Sequence, residues 1–246
     1  MQEKIHQIKG KLSNSYVYAR GKALLVFDAG YRDERFIMGY IHRALPEAKV
    51  MLAVTTHSDI DHSGGLNALA RAAHCKIAVF EKTSAGFSFD SLAEAGTKLV
   101  TGVQEMMRPR FWRMYTSTAR KERKLELPSA KLERPSVPAD LLRVQYDSTL
   151  KADELLPGFP EWRLLWTPGH TEDSCCYYHE TEGILVTGDT LLGSTTSGST
   201  VLPSVYSNMN RLRESIRRLK SLKVSVVAPG HGKMLTGEGL LDTLQS

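Results

Sequence analysis

His57-Ser58-Asp59-Ile60-Asp61-His62 closes the run Val50-Met51-Leu52-Ala53-Val54-Thr55-Thr56 and leads into Ser63-Gly64-Gly65. An apolar, β-branched run that stops at a cluster of potential metal ligands reads as a buried strand feeding a loop. Alternate residues of an extended segment point the same way, so His57, Asp59 and Asp61 are expected to converge, with His62 beside them. Carboxylates packed this closely repel one another unless a cation or protons neutralise them. A bound metal is the economical explanation.

Three further stretches repeat the arrangement: Thr167-Pro168-Gly169-His170-Thr171, Thr187-Gly188-Asp189-Thr190 and Ala228-Pro229-Gly230-His231-Gly232. Each follows an apolar run (Trp162 to Trp166, Ile184 to Val186, Val224 to Val227), so four strand ends each deliver His or Asp on a glycine-bearing turn. Asp, His and Gly are common turn residues, and any one motif alone carries little weight. The four together, in this order, do.

In that order the chain resembles the metallo-β-lactamase superfamily, whose signature is H-x-H-x-D-H followed by a distant His, a bridging Asp and a last His. The resemblance runs from the strand Ala23 to Asp28 through His231. It implies an α/β fold, a four-layer αββα sandwich. It also implies two divalent metal ions, with zinc ahead of iron or manganese. One ion would take His57, Asp59 and His170, the other Asp61, His62 and His231, with Asp189 bridging. A metal-bridging hydroxide would then attack an ester, thioester, lactone or phosphoester, and Asp61 would orient it or shuttle its proton. The chain departs from the signature at Asp59, which stands where the family has its second His. Flavodiiron proteins carry a carboxylate there, and an oxygen donor shifts preference towards iron or manganese. A diiron oxygen or nitric oxide reductase without its own flavin domain is therefore an alternative. A metal-dependent nuclease is another.

The 246 residues, 41% of them hydrophobic, suffice for one sizeable α/β domain. A formal charge of +5 suits an anionic small-molecule substrate without requiring nucleic acid, which ranks behind it as a partner. Three cysteines, two of them the adjacent Cys175-Cys176, give no disulfide framework. The start of the sequence, Met1-Gln2-Glu3-Lys4-Ile5-His6, has no apolar core of a secretory signal, and no run is long enough to span a bilayer. A cytoplasmic protein without a membrane partner is expected.

Ser15 to Tyr18 and Ala23 to Asp28 read as a hairpin about Arg20-Gly21-Lys22, with Asp28 either a turn residue or a support for a ligand His. The spacing predicts helices over Arg35 to Leu45 and Gly64 to His74, and another with Met209, Leu212, Ile216 and Leu219 on its buried stripe. Arg211, Arg213, Arg217 and Arg218 fall on its solvated side. Cys175 to His179 and Gly183 to Thr187 read as paired strands, with His179 exposed at their turn. The polar segment 193–200 should border the site mouth as a mobile loop. Residues 81–160 read as a partly helical insertion or lid, with Leu99, Val103, Met106 and Met107 on one helix face. Within it, Arg108-Pro109-Arg110-Phe111-Trp112-Arg113-Met114-Tyr115 interleaves basic and aromatic residues, and Arg110 and Arg113 are candidate contacts for an anionic substrate.

Overall fold

The computed structural model describes residues 4–83, 92–109, 143–194, 197–242 and 244. Two six-stranded sheets lie face to face. The first joins β1 (Lys4–Lys9), β2 (Asn14–Arg20), β3 (Ala23–Phe27), β4 (Lys49–Val54), β5 (Lys76–Phe80) and β6 (Ser148–Leu150) in sequence order. The second contains β7 (Leu155–Leu156), β8 (Phe159–Trp166), β9 (Cys175–His179), β10 (Ile184–Gly188), β13 (Val226–Pro229) and β14 (Leu235–Thr236), ordered β14-β13-β10-β9-β8-β7. A short ribbon pairs β11 (Leu192–Gly193) with β12 (Thr200–Val201).

Period-two alternation builds the layers. In β2 and β3, Tyr16, Tyr18, Leu25 and Phe27 face the second sheet, where they meet Phe159, Trp162, Leu164, Tyr177 and Val186. The residues between them, Val17, Leu24 and Val26, face outward onto Phe36, Ile37 and Ile41 of α1 (Glu34–Ala44) and Leu66 and Leu69 of α3 (Leu66–Ala73). On the far side, Cys176, Leu185 and Val227 pack against Leu212, Ile216 and Leu219 of α5 (Met209–Leu219). Helix, sheet, sheet, helix: the αββα sandwich follows because each sheet has two apolar faces to bury. Phe27 lies 4.6 Å from Trp162 and 5.3 Å from Tyr177, centroid to centroid, at the middle of the inter-sheet core. Such pairs add ~0.5–1.5 kcal/mol each beyond the area they bury.

The hairpin β2–β3 turns at Gly21, whose φ of +60° suits glycine, and the expected helices all form. Asn208 caps α5 by accepting from the Arg211 backbone N–H. Within the 81–160 stretch the described residues form α4 (Leu92–Met106), β6 and β7, and the two strands pair with β5 and β8. The apolar stripe of α4 is solvent-exposed at Leu99, Val103 and Met106, with Met107 just beyond the helix. Arg110, Arg113 and the rest of the basic-aromatic run from residue 110 on lie outside the described residues. Among the described residues no helix is long and apolar enough to cross a membrane.

His179 corrects its expected exposure. It is 2% exposed, its Nε2 sits 3.1 Å from the Tyr18 hydroxyl, and its ring packs edge-on against Trp162. The strand β9 extends through it, so it belongs to the core between the sheets and not to the turn. Arg211 is a second correction. Its guanidinium pairs with the buried Glu172 and lies over the Trp166 ring, so it is no free solvated charge. The two ends of segment 193–200 pair as the β11–β12 ribbon, and Gly193 N–H donates to His231 O at 3.0 Å.

Candidate metal centre

The strands β3, β4 and β5 run parallel in one sheet, and β10 and β13 run parallel in the other, so their carboxyl ends gather at one edge of the sandwich. That edge carries all seven candidate ligands. His57 follows β4, His170 follows β8, Asp189 follows β10 and His231 follows β13. Asp59, Asp61 and His62 arrive differently from the extended loop expected. The chain turns into α2 (Ile60–Ser63) with Asp59 as its N-cap, so Asp61 and His62 are helical neighbours fanned about one turn. Convergence survives because a helical turn directs successive side chains ~100° apart, on to two adjoining positions.

Backbone bonds lock the two sheets together at this edge. Asn14 N–H donates to Gly230 O at 2.7 Å, while the Asn14 amide and the Tyr16 hydroxyl both donate to Pro229 O at 2.8 Å. From the opposite side Cys175 N–H donates to Thr56 O and the Tyr177 hydroxyl to Thr55 O, each at 2.8 Å. Gly230 is required in the His231 turn, because a Cβ there would collide with His62 Cε1 and the Asp189 carboxylate.

Three donor sets have their atoms within 4.8 Å of one another: His57, Asp59 and His170; His57, His62 and Asp189; Asp61, His62 and His231. His170 Nε2 is 3.1 Å and His57 Nε2 3.5 Å from Asp59 Oδ2. His231 Nε2 is 3.3 Å from Asp61 Oδ2 and 3.2 Å from Asp189 Oδ2. Asp189 also reaches towards His62 at 3.4 Å and His170 at 3.8 Å, which places it between the two groups.

The imidazoles are oriented from behind. His62 Nδ1 lies 2.9 Å from Asp28 Oδ2, His170 Nδ1 2.8 Å from Val205 O, and His57 Nδ1 3.1 Å from Thr56 Oγ1. Each ring therefore turns its Nε2 inward. Asp28 does more than shape a turn. It sits at φ +59°, and its carboxylate also accepts from Thr56 N–H at 2.7 Å and from the hydroxyls of Thr55 and Thr56.

Charge at the site is tightly compensated. Burial disfavours ionised carboxylates, yet His170, His57 and Lys98 hold Asp59 well below its usual range. Against the same burial, His231 and His62 hold Asp189 well below its usual range, and Asp61 is lowered too. Burial likewise opposes charging the imidazoles, but Asp189, Asp61 and Asp28 hold His62 well above its usual value, and Asp189 and Asp61 lift His231 to about 10. Protons and the ammonium of Lys98 thus do the neutralising that a metal would do.

Lys98 is the residue that the sequence pattern missed. Projecting from α4, its Nζ lies 2.6 Å from Asp59 Oδ1 and 2.7 Å from Asp59 Oδ2. A lone lysine in a helix carries no motif, and its partner is 39 residues earlier.

The sequence profile of the metallo-beta-lactamase superfamily matches residues 8–231, which takes in every candidate ligand and both sheets except β14 and most of β1. The chain belongs to the metallo-beta-lactamase superfamily. Members of this superfamily are generally metal-dependent hydrolases, and the donor clusters suit that chemistry. Among curated relatives, an atrochrysone carboxyl ACP thioesterase of Aspergillus fumigatus is 33% identical over 73 residues, 30% of this chain and 21% of that protein. The probable metallo-hydrolase YqjP of Bacillus subtilis is 30% identical over 86 residues, 33% of this chain and 27% of that protein. The aligned stretches thus span about a quarter of those relatives' length. Among solved structures, the B3 metallo-beta-lactamase BLEG-1 superposes with a TM-score of 0.60 at 23% identity, covering 95% of this chain and 94% of that one. Resemblance at that identity concerns the metallo-beta-lactamase fold.

Proposed function

We propose that the chain is a dinuclear metallohydrolase that opens an acyl ester or thioester of a small molecule. The observation that carries this reading is the set of inward-facing ligand atoms that make no hydrogen bond. His57 Nε2, His62 Nε2 and Asp189 Oδ1 are buried and make no hydrogen bond, although donor and acceptor groups crowd around them. Unsatisfied buried polar atoms are costly, and several around one point fit a cation. Imidazole and carboxylate donors together suit zinc first, with iron or manganese as further candidates.

His57, Asp59 and His170 would hold one ion; Asp61, His62 and His231 would hold the other; Asp189 would serve both. Two ions so held would supply Lewis-acid polarisation of the substrate's carbonyl oxygen and a water that is nucleophilic near neutral pH. The chain's own residues do the rest. Asp28, Val205 and Thr56 keep three imidazoles in the orientation that presents Nε2. Asp61, whose side chain is 23% exposed, is the carboxylate closest to solvent and orients the attacking water or passes its proton outward. A serine or cysteine nucleophile is not needed, and the buried Cys175 thiol is pushed well above its usual value by burial.

The thioesterase named among the relatives supports acyl transfer to water ahead of phosphoester cleavage. The net charge of +5 supports an anionic acyl carrier or leaving group. In this reading the chain is one catalytic domain, residues 81–160 shape access to the centre, and Arg110 and Arg113 contact the substrate's anionic part. The test is a panel of acyl thioester, ester, lactone and phosphodiester substrates, run before and after chelation. Turnover of thioester or ester that stops on chelation and returns with zinc supports the reading. Turnover indifferent to chelator, or none on any substrate with both ions bound, refutes it.

A further inference from the structure

Lys98 makes the chain's departure at Asp59 intelligible. Both oxygens of Asp59 lie within 2.7 Å of the Lys98 ammonium, while Oδ2 also faces His170 and His57. The contact is partly buried, with Lys98 14% and Asp59 20% exposed at their side chains. The helix that carries Lys98 is itself fastened to the site. Thr101 Oγ1 donates to Tyr206 O at 3.2 Å, and the Asn208 amide donates to Glu94 Oε1 at 2.8 Å. Those two bonds hold α4 against the same loop whose Val205 carbonyl orients His170. Asp59, Lys98, α4 and His170 therefore form one connected assembly on one flank of the centre.

We propose that Lys98 is a positioning residue and that Asp59 and Lys98 act as a unit in place of the imidazole usual at this point of the signature. The inference rests on the metal-binding reading above. A carboxylate alone would add a full negative charge to the first metal position. Paired with an ammonium that contacts both of its oxygens, it offers an oxygen donor whose charge is already balanced, closer to a neutral ligand. The pair then offsets the negative charge that Asp59 alone would bring, while the donor atom remains a hard oxygen. It also makes Asp59→His, which restores the family's own residue, a damaging change: the ammonium would be left beside a divalent ion with no carboxylate between them.

The experiment is a double-mutant cycle read by metal affinity. Zinc binding to the full-length metal-free chain is measured by titration calorimetry, and cobalt(II) absorption reports the ligand field at the first position. Lys98→Met should weaken the first position about 10–100-fold, as expected when the donor orienting a ligand is lost. Lys98→Arg should stay near the parent. Asp59→His should also bind about tenfold or more weakly, whereas Asp59→His combined with Lys98→Met should recover most of the affinity. The signature is the change of sign: removing the ammonium harms the carboxylate site and helps the imidazole site. Thermal melts of the metal-free variants separate misfolding from lost binding. If Lys98→Met shifts affinity in the same direction in both backgrounds, or Asp59→His alone binds as well as the double variant, the unit does not exist. Failure of the parent chain to bind zinc at all would instead overturn the metallohydrolase reading, so the two ideas fail separately.

Discussion

Asp28→Asn tests how far the centre depends on a residue that touches no ion. The Asp28 side chain is 2% exposed and accepts four hydrogen bonds, from Thr56 N–H, the Thr55 and Thr56 hydroxyls and His62 Nδ1. Deleting it with Asp28→Ala would leave Thr56 N–H and His62 Nδ1 buried without their acceptor, while the Thr55 hydroxyl keeps His57 O at 2.8 Å. At ~1–3 kcal/mol for each such donor, several kcal/mol of stability would go, and the site would be lost with the fold. Asparagine is the informative change. Its oxygen still accepts from Thr56 N–H and the Thr55 hydroxyl, and its amide can donate to the Thr56 hydroxyl. His62 Nδ1 then meets an amide N–H where it had a carboxylate, so the ring must carry its proton on Nε2, the atom that faces the centre. Affinity at the second metal position should fall about 10–100-fold while the melting temperature of the metal-free chain changes little. Titration calorimetry with zinc, beside a thermal melt, reads both. Second-ion affinity within about threefold of the parent would refute the account of His62.

Two further outcomes follow from charge. Burial raises Asp33 from an ordinary 3.8 to about 7, with Lys11 N–H opposing and Glu34 and Asp61 adding to the rise. A raised carboxyl favours the fold while protonated, so between pH 4 and 7 it should take stability away as pH rises, by about 4 kcal/mol at most. Asp33→Asn keeps an acceptor for Lys11 N–H and should flatten that part of the stability profile; an unchanged slope in pH-dependent denaturant melts would count against it. Separately, the facing carboxylates raise His62 well above its usual value and His231 to about 10 in the metal-free chain. Zinc loading at pH 7 should therefore release about two protons, seen as a dependence of binding enthalpy on buffer ionisation, and zero release would contradict the charge assignment.

Much of this was legible in the sequence because the centre is built from strand ends. Each candidate ligand group follows an apolar run with a glycine at hand, and a backbone-driven pattern of that kind survives in one dimension. The stripe of Leu212, Ile216 and Leu219 was equally plain, since helix periodicity alone decides which face is buried. What stayed hidden depended on partners distant in sequence. Lys98, Arg211 and Glu172 look like ordinary surface charges until the fold sets Lys98 against Asp59 and Arg211 against Glu172. His179 looked like a turn residue because Glu180-Thr181-Glu182-Gly183 follows it, but the aromatic cage of Tyr18 and Trp162 comes from two other strands. The helical turn at Ile60–Ser63 was missed because four residues are too few to show a period.

The central claim is that seven side chains from four strand-end loops hold two ions. Elemental analysis of the purified chain, with His170→Ala and His231→Ala alongside, tests it most directly. The account expects about two transition-metal ions per chain in the parent and about one in each variant, with the fold retained by circular dichroism. Full occupancy in both variants, or a parent chain that takes up no ion after zinc loading, would contradict it.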